Sequence, residues 1–242
     1  MIDTHCHIDL YNKPEHILYE CEKAGITVLA MTNLPSHFEM GYLHVLPYKK
    51  IRLALGMHPL YANSHEKEFA LFLKNLSRTS YIGEIGLDFS RDGFATKDLQ
   101  TRSFSKILGL LSNQKKILSL HSRRAEKEVL ELLKSYKIEA AIFHWYSGPL
   151  SLVDKIAASG YYFSVNPAMI KSENGQKIID RIPKDKILTE TDGPFTDVRG
   201  KPSKPSDVIL VHQFLSKKWA KSEVEVAKII SANFRRLIAC LK

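Results

Sequence analysis

The sequence predicts an α/β fold, a single (β/α)8 TIM barrel with helices finishing the chain. Three observations carry that expectation. Short β-like runs alternate with helical periodicity along the whole chain, which argues for a parallel sheet covered by helices. Continuous apolar runs such as ITVLAMT and AAIF suit strands covered on both faces. Eight such units fit into 242 residues, a length that suits one closed barrel. An open doubly wound sheet is the alternative, but its Gly-rich phosphate loop after the first strand is missing, and His5-Cys6-His7 stands there instead.

Taken in order, the expected strands cover residues 2–7, 26–32, 51–57, 81–85, 117–121, 140–144, 161–165 and 187–190. Amphipathic stretches at 14–23, 66–76, 99–111, 125–136 and 150–158 read as the connecting helices, and two more at 207–220 and 223–241 close the chain. The stretch 192–207, with its prolines and glycines, reads as an active-site loop and is too short to separate domains. One unit over residues 1–242 is therefore expected.

Composition narrows the function classes. Hydrophobic residues make up 44% and charged residues 25%, an ordinary globular balance. Cys6, Cys21 and Cys240 are too few and too scattered for a disulfide framework, so a reducing cytoplasm is expected. No apolar run is long enough to span a membrane, and the N-terminus lacks the pattern of a secretory signal. Formal net charge is +9, from 35 basic and 26 acidic residues, which permits a phosphate-rich partner without requiring one.

Barrel enzymes place their chemistry at the C-terminal ends of the strands. Here those ends carry His5 and His7, His58, Glu84 and Asp88, His121 and Arg123, His144, and Asp192. Side chains alternate along a strand, so His5 and His7 face the same way while Cys6 faces outward as a packing residue. Any one of these histidines is weak evidence for a metal; the joint pattern points to one. A carboxylate bridges two cations where an imidazole cannot, so Glu84 is the expected bridge. His5, His7, Glu84 and Asp192 would hold one divalent metal ion; Glu84, His121 and His144 would hold the other. Two metals about 3.5–4 Å apart clamp an in-line displacement. Asp192 is the expected general base. The ligand set accepts Zn, Mn or Mg. His58 and Arg123 are candidates for holding an anionic group, with a turn-stabilising role and a surface ion pair as alternatives. Asp88 either orients a ligand histidine or caps a loop. Trp145 and Tyr146 either stack a base or pack their loop.

These motifs together resemble the TatD-type metal-dependent deoxyribonucleases of the amidohydrolase superfamily. The matching pieces are DTHCHID (3–9), GMHP (56–59), GEIGLDF (83–89), HSRRA (121–125), FHWYSG (143–148), ETDGPF (190–195) and the late Asn233-Phe234 pair. The resemblance implies divalent-metal phosphodiester cleavage of single-stranded DNA or other nucleic acid. It puts His5, His7, Glu84, His121, His144 and Asp192 on metal-ligand positions, and His58 and Arg123 near the substrate phosphate. Several pieces, among them YFSVNPAMIKS, look most like the TatD-like component of Qat antiphage defence cassettes. That implies a bacterial defence role and partner proteins from the cassette. Two departures stand out: the loop 200–205 differs from the family's Arg-Asn-Glu-Pro pattern, and the segment 33–44 is unusual. The first leaves open an amide, lactone or modified base as substrate. A non-catalytic subunit and a PHP-type phosphoesterase are the remaining alternatives; the intact ligand set opposes the former, and the missing further HxH or DxH pairs oppose the latter.

Overall fold

A computed structural model describes residues 1–241. The barrel strands are β1 (Ile2–Cys6), β2 (Thr27–Ala30), β3 (Ile51–Leu53) with β4 (Leu55–Met57), β5 (Tyr81–Gly86), β6 (Ile117–His121), β7 (Ala141–Phe143), β8 (Tyr162–Val165) and β9 (Ile187–Thr189). β3 and β4 are the two halves of one barrel strand, broken at Ala54, so the described residues supply eight barrel strands, all paired in parallel.

The break has a local cause. Thr32 runs past the end of β2 and bonds to the far neighbour: its N–H donates to Gly83 O at 3.3 Å and its carbonyl accepts from Glu84 N at 3.1 Å. Thr32 thus sits directly over Gly56. A Cβ at Gly56 would lie 1.6 Å from the Thr32 carbonyl oxygen, so only glycine fits beneath that crossing.

The barrel closes between β1 and β9 through side chains. Thr4 Oγ1 donates to Thr189 O at 3.1 Å, and Thr189 Oγ1 donates back to Ile2 O. Just beyond, Asp3 accepts from the N–H and hydroxyl of Thr191, and Asp192 N donates to His5 O at 2.8 Å. Asp3 is fully buried, and burial pushes its carboxyl well up against these bonds.

Helices α1 (Pro14–Ala24), α2 (Pro35–Val45), α3 (His65–Asn75), α4 (Lys97–Leu111), α5 (Glu126–Ser135), α6 (Leu150–Ala158), α7 (Pro167–Lys171), α8 (Glu173–Arg181), α9 (Val208–Trp219) and α10 (Glu223–Ile238) complete the connections. Two-residue alternation sorts the strands into two faces. Val28 and Ala30 pack with Ile17, Leu18 and Cys21 of α1, whereas Leu29 and Met31 join Ile142, Leu188 and Phe234 in a separate cluster. That second cluster includes Phe234 and Leu237 of α10, and Asn233 Nδ2 anchors the helix by donating to Lys184 O and Ile187 O at 2.8 and 2.7 Å. Cys6 lies in the α1 cluster, the packing place expected for it.

Strand positions agree with the sequence pattern to within two or three residues. Helices α2, α7 and α8 were not among the stretches named in the sequence. The loop 192–207 also contains a small hairpin, β10 (Asp197–Val198) with β11 (Lys201–Pro202).

Candidate metal centre

The six expected ligands, drawn from positions 5 to 192, meet at one end of the barrel around Glu84. Its carboxylate has two distinct sides. Oε2 faces His7 Nε2 at 3.1 Å and His5 Nε2 at 3.4 Å. Oε1 faces His121 Nδ1 at 2.6 Å, His144 Nε2 at 2.9 Å and His58 Nε2 at 3.3 Å. Asp192 completes the first side, with Oδ1 at 3.6 Å from His5 Nε2 and 3.8 Å from His7 Nε2. His144 also lies flat on His5, ring centroids 3.8 Å apart, which brings it close to both groups. His58, expected at the substrate phosphate, sits inside the cluster. It can share an ion with Glu84 and His121, just as His5, His7 and Glu84 can, or His5, His144 and Asp192.

Local structure explains each position. His5 and His7 project together from the end of β1, and Ser119 Oγ fixes the His5 ring by bonding Nδ1 at 2.8 Å. Gly86, at φ +135°, lets β5 bend beneath β6: a Cβ there would lie 2.0 Å from His121 O. Asp88 does both things weighed for it. Oδ2 meets His121 Nε2 at 2.8 Å, turning Nδ1 toward Glu84, and Oδ1 accepts from Ser90 N at 2.8 Å. Asp192 occupies the left-handed backbone region at φ +50°, and Phe195 N closes the turn on its carbonyl at 2.8 Å.

Residues the sequence did not single out lie beneath the ligands. Glu190 is fully buried and accepts from Ser164 Oγ, Asn166 Nδ2 and Trp145 N, fixing the backbone beside His144. Asp3 and Thr191 lock the segment that carries Asp192. Strand-end position and the family motif both pointed at the loop, but neither distinguished its supporting carboxylates from its ligands.

The electrostatics favour a bound cation. Burial raises the Glu84 carboxyl, but His58, His144 and His121 outweigh it and hold the group well below the ordinary carboxylate range. Burial pushes His5 far down, and the neighbouring His144 adds to this, so His5 keeps the neutral form that offers a lone pair. His144 moves well up despite burial, because Glu84 and Glu190 face it. Burial raises Asp192 to about 7 against the pull of His144 and His7. His5 Nε2 and His7 Nε2 lie only 3.2 Å apart, and both point at Glu84 Oε2. Burial lowers His7, but Glu84 and Asp192 outweigh it and raise the group, so positive charge is favoured where these nitrogens and carboxylates meet. Among the described residues, the Nδ1 atoms of His7 and His144 have no hydrogen-bond partner. Imidazole nitrogens and carboxylate oxygens at these distances fit a divalent cation such as zinc or manganese.

The cluster opens into a cavity of about 610 Å³, lined among others by Tyr61, Arg123, Trp145 and Phe195. Arg123 lies at its edge, half-exposed, its Nη1 3.4 Å from Asp92 Oδ2; the ion pair and the cavity wall are both real. Trp145 lines the cavity, whereas Tyr146 is buried with its hydroxyl donating to Pro149 O at 2.8 Å. None of residues 200–205 is in the lining, so the departure in that loop does not alter the described walls.

A parallel barrel with this donor set at one end defines a metal-dependent hydrolase. The chain belongs to the TatD family: the model of the TatD related DNases matches residues 2–239. It is similar to the human deoxyribonuclease TATDN3, 26% identical over 265 residues covering all of this chain and 96% of that one. It is also similar to the metal-dependent hydrolase YabD of Bacillus subtilis, 30% identical over 200 residues and 78% of each chain. Among solved structures, the TatD homologue YJJV of Escherichia coli has the same fold, with a TM-score of 0.88 at 24% identity over 98% of this chain and 97% of that one. A TatD family hydrolase from Entamoeba histolytica gives 0.84 at 17% identity over 98% and 97%.

Proposed function

We propose that the chain, as one hydrolase unit, cleaves phosphodiester bonds at the ends of single-stranded nucleic acid with two divalent cations. The observation that carries this reading is the two-sided Glu84 carboxylate, with His5 and His7 on one oxygen and His58, His121 and His144 on the other. His5, His7, Glu84 and Asp192 would hold one ion, and Glu84, His121 and His144 the other. Bound there, the pair supplies a water of lowered pKa and positive charge for the phosphate oxygens. Asp192, beside the first ion's ligands, takes the proton of the attacking water as general base. His144 is held between Glu84 and Glu190, and His121 between Glu84 and Asp88, so neither ring turns during the reaction. Arg123 at the rim is placed to fork onto a phosphate once released from Asp92.

The family's nuclease relatives and the intact donor set support the phosphodiester reading over an amide or lactone. Purified protein with manganese or magnesium is expected to degrade single-stranded DNA, and Glu84→Gln to abolish it. Activity that survives loss of this carboxylate overturns the mechanism.

The narrower likeness of HSRRA, HWYSG, YFSVNPAMIKS and ETDGPF supports a cytoplasmic role in antiphage defence beside Qat cassette proteins. Pull-down of the tagged chain, expressed with its neighbouring genes, is expected to retain cassette proteins. A chain recovered alone removes that part of the reading.

A further inference from the structure

Two exposed aromatic rings stand at the cavity, each seated edge-on against a different histidine of the centre. Phe195 is 59% exposed, and its ring lies 5.2 Å from that of His7 at 80°. Tyr61 is 43% exposed, and its ring lies 6.0 Å from that of His58 at 82°. His7 faces Glu84 Oε2 and His58 faces Glu84 Oε1, so the two rings flank the carboxylate from opposite sides. Both line the same cavity. An exposed phenyl ring loses apolar burial at every moment it is free, and both rings are held in place by a buried neighbour.

The lining carries one lysine or arginine among the described residues, Arg123, and that side chain already pairs with Asp92. Neutralisation of several phosphates, the usual source of sequence-independent affinity, is therefore thin at this mouth. A concave cavity of about 610 Å³ also suits one or two unpaired nucleotides rather than the face of a paired helix. Flat π faces bind every base without reading its edge.

From this the geometry points to a two-ring clamp: Phe195 stacks the base on one side of the scissile phosphate, and Tyr61 stacks the base on the other. The inference rests on the phosphodiesterase reading and adds how the unpaired strand is held, by a stacked base on each side of the cut. Stacking itself reads no base edge, so the clamp accepts any base.

The test uses the full chain loaded with manganese and dinucleotides, each a single strand with one open phosphodiester bond at its end. One strand carries both bases at the open bond; two others lack the base on one side or the other. In the wild type each missing base is expected to lower kcat/KM by about 5- to 150-fold. Phe195→Ala is expected to lose its preference for the base on one side only, and Tyr61→Ala for the base on the opposite side. Phe195→Tyr and Tyr61→Phe keep a ring and are expected to keep the preference. Both positions are exposed, so the substitutions leave the packed core untouched. Variants that retain the wild-type preference, or that both lose the same side, overturn the clamp alone. A wild type that cuts none of the strands removes the phosphodiesterase reading, and the clamp with it.

Discussion

At the scale of single residues, the candidate ligands are held by hydrogen-bonding partners. Asp88 bonds His121 Nε2 and Ser90 N, and so keeps that imidazole with Nδ1 toward Glu84. Loss of such a supporting carboxylate typically costs about 10–100-fold in metal affinity or activity. Asp88→Asn is therefore expected to weaken manganese binding by about that factor, measured by calorimetry on the purified protein. Unchanged affinity would mean that His121 is oriented by Glu84 alone. The residues that gather around Glu84 were legible in the sequence because each lies at or near the end of a strand and each is a metal-capable type. Asp3, Ser119 and Glu190 were not, because a small or acidic residue inside a buried strand or loop has no periodic signature; only its bonds reveal what it does. His58 was legible as a site residue but not as a neighbour of Glu84, since strand order alone does not set how far a loop residue leans inward.

At the scale of elements, glycine and histidine positions make two checkable statements. Gly56 lies under the Thr32 carbonyl, backbone that cannot swing aside as a side chain would. Overpacking of this kind costs about 2–3 kcal/mol, or roughly 5–10 °C in a chain of this size. Gly56→Ala is expected to lower the Tm by about that much in a calorimetric scan. On α9, His212 is buried with its Nε2 unpartnered, and burial lowers its pKa to about 4. The unfolded chain therefore binds a proton near pH 6.5 that the folded chain refuses until about pH 4. The stability that neutral His212 permits is present above about 6.5 and is lost as pH falls toward 4. Relative to wild type, His212→Leu is expected to gain Tm steadily across that window, and a constant difference between the two would refute the assignment. The missed helices have physical reasons. α2 is apolar on both faces, with Phe38 and Val45 buried but Met40, Leu43 and Leu46 exposed, so no polar stripe marks it. α8 is only nine residues long and carries Gly175 in its first turn, a residue that reads as a break rather than as a helix start.

At the scale of the whole molecule, five histidines and two carboxylates gather in one buried cluster, which a divalent cation would draw together. Binding to the folded state alone raises stability with the logarithm of free ligand. Chelation is expected to lower the Tm of the wild type, and added manganese to raise it by an amount that grows with concentration. Glu84→Gln is expected to respond weakly to both. Equal responses would place the stabilising ion elsewhere.

The side-chain clasp between the first and last barrel strands also sets an order of events during synthesis. His5 and His7 leave the ribosome well before the groups that finish their surroundings, Thr189, Thr191 and Asp192, which are made nearly two hundred residues later. Until that late segment emerges, the early imidazoles have no Asp192 and no clasp to hold them in register. A chain cut short before residue 187 would thus carry most of the candidate ligands but lack both Asp192 and the clasp that holds the first strand in register.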